Sequence, residues 1–399
     1  MPGAGYRPAN ASTRAAAAWI VEGMTTWSVR ELPVPTSLED VDAWLLHGMV
    51  DAQNEATRTL WGTDDFATTP RRALSQLEHQ EYDRRVRLVA VDDTADATDP
   101  ARVLGFARLD LPLTDNTHTG WLDLGVRPAH RGRGIGDALH TAALDVARGA
   151  GRTHLVTETE QTVEPAPGPR TLAAASGEGV VSRDDAAVRF ALAHGWRLEQ
   201  VARHSRLALP LDPAAVEAHR ARAAAAAGPD YRPVTWVDAT PDVWAEQLAA
   251  LRTSMSTDEP TAGLDVEEEA WDAARVLADD AETLGRDEHL LTTAVEHVPS
   301  GRLVAYSQLM VPPHTDEFVW QGDTLVQAEH RGHRLGMLVK TVQLQALAAQ
   351  RPAVRRISTW NAQENRWMLA INVALGFRPA GGSGVWQLRV EGTRGARAR

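Results

Sequence analysis

One motif occurs twice in the chain. His130-Arg131-Gly132-Arg133-Gly134-Ile135-Gly136 returns 200 residues later as His330-Arg331-Gly332-His333-Arg334-Leu335-Gly336, with Val126 and Val326 at the same distance before each copy. A repeat at half the length of a 399-residue chain predicts two related units. Extended apolar segments at 120–126 and 317–326 lead into the copies. Apolar residues at helical spacing follow: Ile135, Leu139, Ala142, Ala143 and Val146, then Leu335, Leu338, Val339, Val342 and Ala346. Each copy is therefore a glycine-rich loop between a strand and a helix.

A second pair lies downstream. Phe190 to Trp196 matches Ile371 to Phe377, each a helix stopped at a glycine and followed by an aromatic. This offset is 181 residues, so the first half carries an insertion; Thr162 to Val181, rich in Pro, Gly, Ala and Ser, reads as that loop. Asp212-Pro213 can open an alanine-rich helix that Gly228-Pro229 ends. The predicted organisation is a poorly ordered leader over 1–26, an N-terminal lobe over 27–210, a helical linker over 211–230 and a C-terminal lobe over 231–391. Helices are expected over Leu38–Ala56, Pro70–Arg85, Pro241–Ser256 and Val266–Leu284. Strands surround each loop, giving an α/β (α+β) fold with a mixed sheet in each lobe.

The strand–loop–helix unit is an anion-binding device. The first amides of a helix lack internal partners, the helix dipole adds partial positive charge, and glycines allow close backbone approach. Two nucleotide readings fail on spacing: no G-x-x-x-x-G-K-[ST] is present, and the glycines run G-x-G-x-G rather than G-x-G-x-x-G. The net charge of −12 argues against a nucleic-acid partner. Cysteine is absent, which removes thiol nucleophiles and cysteine metal sites. No apolar run is long enough for a membrane helix, and the short run Ala15–Val21 makes a weak signal peptide, so a cytoplasmic protein without a membrane partner is expected. Either a monomer or a homodimer fits the sequence.

Val126-x-Pro128-x-x-Arg131-Gly132-Arg133-Gly134-Ile135-Gly136 resembles the acetyl-coenzyme A signature of the GNAT N-acetyltransferase superfamily, R/Q-x-x-G-x-G/A. The resemblance extends over both halves, as a tandem of two GNAT lobes similar in plan to actinobacterial mycothiol-synthase-like enzymes. It implies a sheet splayed between its fourth and fifth strands, acetyl-coenzyme A as co-substrate and loop amides on the pyrophosphate. The implied cofactor residues are Val126, Arg131, Gly132, Arg133, Gly134, Ile135 and Gly136, with Val326, Arg331, Gly332, His333, Arg334, Leu335 and Gly336 in the second lobe. Asn365, at the asparagine position that the family links to the pantetheine, joins them; Asn361 is either a further cofactor contact or a helix N-cap.

The departures also matter. Arg334 takes the middle glycine position of the second copy. The family often carries Asn eleven residues and Tyr four residues before the Gly-aromatic pair; the second lobe has Asn365 and Asn372 there, the first Asp184 and Ala191.

Amine acetylation needs a proton acceptor and a polarised thioester carbonyl, and no metal. Asp123 and Asp323, three residues before Val126 and Val326, are candidate bases or hydrogen-bonded strand carboxylates. Tyr306 is a candidate acid or a packed strand residue. Asp258-Glu259, Asp265 to Glu269 and Asp279-Asp280 are either a solvated acidic helix face or a lining for a small cationic amine. Asn361, Asn365 and Asp323 form the fuller polar set, which points to the second lobe for chemistry. The alternatives are a non-catalytic acyl-coenzyme A sensor or scaffold, and a mycothiol-synthase-like acetyltransferase.

Overall fold

The computed structural model describes residues 18–19, 26–95 and 97–391. Apart from 18–19 and 26, the expected leader lies outside them. In the first half the elements are β1 (Ala18–Trp19), β2 (Trp27–Glu31), α1 (Ala43–Trp61), α2 (Pro70–Glu78), β3 (Asp83–Asp92), β4 (Val103–Pro112), β5 (Trp121–Val126), α3 (Ile135–Gly149), β6 (His154–Gln161), β7 (Thr171–Ala173), β8 (Val180–Ser182), α4 (Ala186–Ala193) and β9 (Arg197–Ala208). Helix α5 (Pro213–Ala227) follows. The second half contributes β10 (Tyr231–Val237), α6 (Asp242–Asp258), α7 (Ala273–Gly285), β11 (His289–His297), β12 (Arg302–Val311), β13 (Phe318–Val326), α8 (Leu335–Gln350), β14 (Arg356–Ala362), α9 (Arg366–Leu375) and β15 (Arg378–Arg389).

Two helices are shorter than their sequence pattern predicts. Helix α2 starts where the Thr69 side chain accepts from the Arg72 amide, with Pro70 in the first turn, but it stops at Glu78 rather than Arg85. Arg85 lies on β3 and donates back to the Gln76 and His79 carbonyls at the helix end. The buried run Val86–Val91 needs a strand, and that need overrides the helical spacing. Helix α7 begins at Ala273 rather than Val266, because Asp272 caps it by accepting from the Arg275 amide. The acidic run Asp265–Glu269 is therefore a loop, and that loop docks on the first lobe. Asn116 Oδ1 accepts from the Glu267 amide at 2.6 Å, and Asn116 Nδ2 donates to the Glu267 carbonyl at 3.2 Å.

The strands join into one sheet of order β1-β2-β3-β4-β5-β6-β15-β9-β14-β13-β12-β11-β10, and β7–β8 is a separate hairpin in the insertion. Both parallel pairings are brief. β5 meets β6 only at Trp121↔Val156, and β13 meets β14 from Phe318↔Arg356 to Trp320↔Ser358. Beyond those contacts the strands part, so each lobe has a V-shaped opening between its fourth and fifth long strands.

The lobes exchange their last strands. β15, from the second half, pairs with β6 and β9, while β9, from the first half, pairs with β14. Trp386 of β15 is fully buried in the first lobe's core, where its Nε1 donates to Thr159 Oγ1 at 2.9 Å. Leu207 of β9 is buried in the second lobe's core in turn. Each lobe therefore completes the core of the other.

Candidate functional site

The repeated loops share their construction. Arg131 Nε donates to the Val126 carbonyl at 3.1 Å, and Arg331 Nε to the Val326 carbonyl at 3.2 Å. Ile135 and Leu335 are buried anchors at the first helical position. Gly134 and Arg334 hold the left-handed conformation just before α3 and α8, at φ 77° and 57°, and neither helix start has a side-chain cap. The leading amides of both helices stay available to an outside acceptor. A side chain at Gly336 would meet Ile371 of α9 at 2.9 Å, so this position must be small for the helices to approach. Arg133 Nη1 contacts His130 Nδ1 at 2.9 Å, and the His333 ring packs on Tyr231 with centroids 5.1 Å apart.

Two cavities converge beside the second loop. One, of about 740 Å³, runs between Val326, Arg331, Gly332, Arg334, Leu335 and Gly336 on one side and Asn365, Trp367, Met368 and Ile371 on the other. The other, of about 700 Å³, lies between the lobes and is bordered by Glu158, Asp323, Trp360 and Asn361 and by the 260–271 loop. Met255, Glu259 and Pro260 border both. Such volumes suit small organic ligands.

The inter-lobe cavity is acidic, but part of its charge is neutralised. Arg85 pairs with Glu282 at 2.8 Å, Arg252 with Asp279 at 2.7 Å and Arg275 with Asp115 at 2.5 Å. Among the described residues no cation forms an ion pair with Glu158, Glu259 or Asp323. Glu259 is exposed where it opens onto both cavities, with protein packed around it. That packing, with the Asp323 and Glu364 charges, pushes the group up to about 7. Glu158 and Glu160 keep exposed side chains, yet the protein packed around them raises Glu158 and carries Glu160 up to about 7, although Trp61 Nε1 donates to Glu160 at 2.6 Å.

Asp123 and Asp323, equivalent in sequence, differ in geometry. β5 pairs regularly with β4, which sets Asp123 opposite Arg108, with Oδ2 3.8 Å from Nε. β13 is bulged: Ser307 faces Thr324 and Leu309 faces Gln321, so Gln308 opposes both Gly322 and Asp323. The bulge leaves Asp323 bordering the inter-lobe cavity, while Asp123 borders neither cavity. Tyr306 is fully buried and donates to Asp323 Oδ2 at 2.9 Å. Burial, then the Asp323 charge, holds its phenol well above the usual range. It therefore orients Asp323 and does not face either cavity.

Most of the second-lobe residues that the motif singled out come together. Val326, Arg331, Gly332, Arg334, Leu335, Gly336 and Asn365 border the 740 Å³ cavity, and Asn361 and Asp323 border the other. His333 stands apart on Tyr231. Val126, Arg131, Gly132, Arg133, Gly134, Ile135 and Gly136 form the corresponding first-lobe loop, distant from both cavities. The sequence singles out Glu259 only as part of an acidic run, and it does not mark two further features. Glu158 and Glu160 alternate on a strand that the motif does not mark. Lys340 hides in an amphipathic helix; it is buried, and its Nζ donates to Asn372 Oδ1 at 2.9 Å while Asn372 Nδ2 donates to Asn361 Oδ1 at 2.8 Å. Burial pushes the Lys340 amine down to about 7.

Residues 46–167 match the acetyltransferase (GNAT) family. Among solved structures, the chain is similar to a tandem GNAT protein from the clavulanic acid biosynthesis pathway, at 25% identity and TM-score 0.67, covering 91% of this chain and 99% of that one. It is also similar in fold to a GCN5-related N-acetyltransferase from Sphaerobacter thermophilus, at 13% identity and TM-score 0.53, covering 92% and 97%. N-myristoyltransferase of Saccharomyces cerevisiae shares the fold at 10% identity and TM-score 0.53, covering 92% and 81%. No curated protein matches the chain. The family match thus falls on the first lobe, whereas the loop-bordered cavity falls on the second and the other cavity lies between the two. Residues 46–167 carry the GNAT family match, and the whole chain shares the fold of a tandem GNAT protein.

Proposed function

We propose that the protein transfers an acetyl group from acetyl-coenzyme A to a small cationic amine, and that the second lobe carries out the chemistry. The observation that supports this reading is the junction at Met255, Glu259 and Pro260, where a cavity bordered by the repeated loop meets a cavity with uncompensated acids. The amides after Arg334, with the Arg331 and Arg334 side chains, suit a pyrophosphate. Asn365, Trp367 and Met368 offer one polar and two apolar contacts along the same cavity to a pantetheine arm. Acetyl-coenzyme A, when bound, supplies the thioester whose C–S bond is broken.

The chain's own residues then handle the amine and its proton. Asp323, Glu158 and Glu259 attract an ammonium group into the inter-lobe cavity. Glu259, ionised over the upper half of its titration near pH 7, takes a proton from that group and leaves a nucleophilic nitrogen. The C–N bond forms as the C–S bond breaks, the nitrogen gives up its second proton to water, and the leaving sulfur takes the proton held by Glu259, so one proton is released per turnover. Tyr306 keeps Asp323 turned toward the cavity by its hydrogen bond.

Asn372 favours a second reading. It is buried and bonded to Lys340 and Asn361, so it presents no acid to a leaving group. That arrangement fits an acyl-coenzyme A sensor or scaffold. The test is free-thiol release from acetyl-coenzyme A with a panel of polyamines, aminoglycosides and lysine-like amines, beside neutral and anionic controls. Release that requires a cationic amine and weakens with salt supports transfer. Thermal stabilisation by acetyl-coenzyme A with no release for any amine overturns it in favour of the sensor.

A further inference from the structure

The loop between α6 and α7 reaches the first lobe at a cluster of metal-type ligands. His118, in the β4–β5 connection, and His154, at the start of β6, converge on Asp265 of that loop. Asp265 Oδ1 lies 3.5 Å from His118 Nε2, and Asp265 Oδ2 lies 3.2 Å from His154 Nδ1. One ligand atom from each of the three residues falls within 4.8 Å of the others.

Tetrahedral zinc holds nitrogen and oxygen ligands at about 2.0–2.2 Å, which separates neighbouring ligand atoms by roughly 3.3–3.5 Å. The two distances to Asp265 match that separation. Two imidazoles and one carboxylate form a donor set that suits zinc and its neighbours, and unlike calcium or magnesium sites it is not all oxygen. The opposite nitrogen of His118, Nδ1, lies 3.9 Å from Glu267 Oε1. A carboxylate behind a ligating histidine is the usual outer partner that fixes the ring.

In this structure His118 Nε2 also contacts the Asp265 carbonyl at 3.2 Å and His154 Nδ1 contacts Thr153 Oγ1 at 3.1 Å, contacts that a metal would replace, while further bonds seat the loop without the ligand side chains. The Asp265 amide donates to Gln387 Oε1 at 2.7 Å, Gln387 Nε2 donates to the Gly263 carbonyl at 3.4 Å, and Asn116 clasps the Glu267 backbone. Both histidine side chains are half-buried, while that of Asp265 stays half open. A fourth position is thus free for water. The same loop borders the inter-lobe cavity through Leu264, Val266, Glu267 and Glu269.

We propose that His118, His154 and Asp265 form a zinc-class transition-metal site that staples the 259–272 loop of the second half onto the first lobe. The metal has a structural role and touches no reacting atom. It fixes one wall of the inter-lobe cavity, and no local sequence pattern marks its three ligands. The inference stands whether or not the cavity hosts acetyl transfer.

The test uses the untagged full chain, stripped with chelator, reloaded with zinc sulfate and desalted. The wild type and two variants, H154A and D265N, are compared by elemental analysis, thermal melting and limited proteolysis between residues 259 and 272. The expected wild-type result is one zinc per chain, a raised Tm and slower cleavage in the loop. Each variant should bind zinc at least tenfold more weakly and lose both protections. Cobalt substitution should add the intense visible absorption of a four-coordinate site in the wild type alone. Sub-stoichiometric zinc in the wild type, or equal zinc in wild type and folded variants, overturns the proposal; circular dichroism establishes that the variants are folded.

Discussion

The lobes use the same loop but back it with different interiors. Five residues into α3 stands His140, and at the same position of α8 stands Lys340. Each is a buried basic group, and each has one neutral partner: Trp196 Nε1 donates to His140 at 3.1 Å, while Lys340 donates to Asn372. In the first lobe the chain of contacts ends there, among the rings of Phe190, His194 and Trp196. In the second lobe it continues through Asn372 to Asn361, which borders the inter-lobe cavity. The strand beside each loop differs in the same sense. Asp123 sits in regular register against Arg108, whereas the bulge and a buried tyrosine turn Asp323 to the cavity. Similar loops, one with Gly134 and the other with Arg334 before its helix, are thus backed by a packed interior in the first lobe and by a polar chain that reaches the inter-lobe cavity in the second.

The sharpest way to break this asymmetry is to neutralise one raised acid in each half. Glu259→Gln should lower kcat/KM for a cationic amine by about 10²–10⁴-fold, the usual contribution of a positioned base. The wild-type profile should rise as pH increases through about 7, because only the ionised carboxylate accepts a proton, and the variant should lack that limb. Glu160→Gln in the first lobe should leave the rate unchanged. Next in size is the strand exchange. Trp386→Ala should cost about 3–5 kcal/mol, as for other buried tryptophans, and chemical denaturation should show the loss in the first lobe although the mutation lies in the second half of the chain.

The two buried bases should titrate stability in separate windows. The folded Lys340 amine sits near 7 against an ordinary 10.5, so between those values the unfolded chain holds a proton that the folded chain does not. Stability must therefore rise with pH from about 7 to 10.5, by on the order of a few kcal/mol. Lys340→Met should remove that rise. Burial and the His194 charge hold His140 near 4 against 6.5, so its contribution rises between those values and persists in the Lys340 variant. Glu160 and Glu259, raised to about 7, contribute the opposite slope over part of that window, so the His140 share is read as the difference between the wild type and His140→Gln. Urea unfolding across pH 4–10 resolves both. The smallest effect is at Arg334, whose left-handed backbone costs roughly 1–2 kcal/mol. Arg334→Gly should raise thermal stability by at most about 1 kcal/mol, since the freer unfolded chain offsets part of the gain; the corresponding Gly134→Arg should lower it.

The repeat made the two loops and their flanking strands and helices legible, because loop chemistry and hydrophobic period agree over those segments. Other features were hidden for physical reasons. The alternation of β15 satisfies any neighbouring strand, so nothing in its pattern reveals that Trp386 completes the first lobe. A bulge adds a residue without changing residue type, so Asp123 and Asp323 look alike in sequence. The acidic run before Asp272 has helical spacing, and only its docking on Asn116 makes it a loop. Glu259 gained significance from where α6 ends, between two cavities, which no local pattern encodes.

The most direct measurement is equilibrium binding of acetyl-coenzyme A, followed by single-turnover thiol release, in Gly332→Val and Gly134→Val. A Cβ at either position meets no neighbouring atom within 4 Å, so both variants suffer the same backbone strain, at φ 89° and 77°. A second-lobe reaction requires that Gly332→Val abolish release while Gly134→Val retains it. Loss of release in the Gly134 variant alone, with both proteins folded, would contradict the assignment.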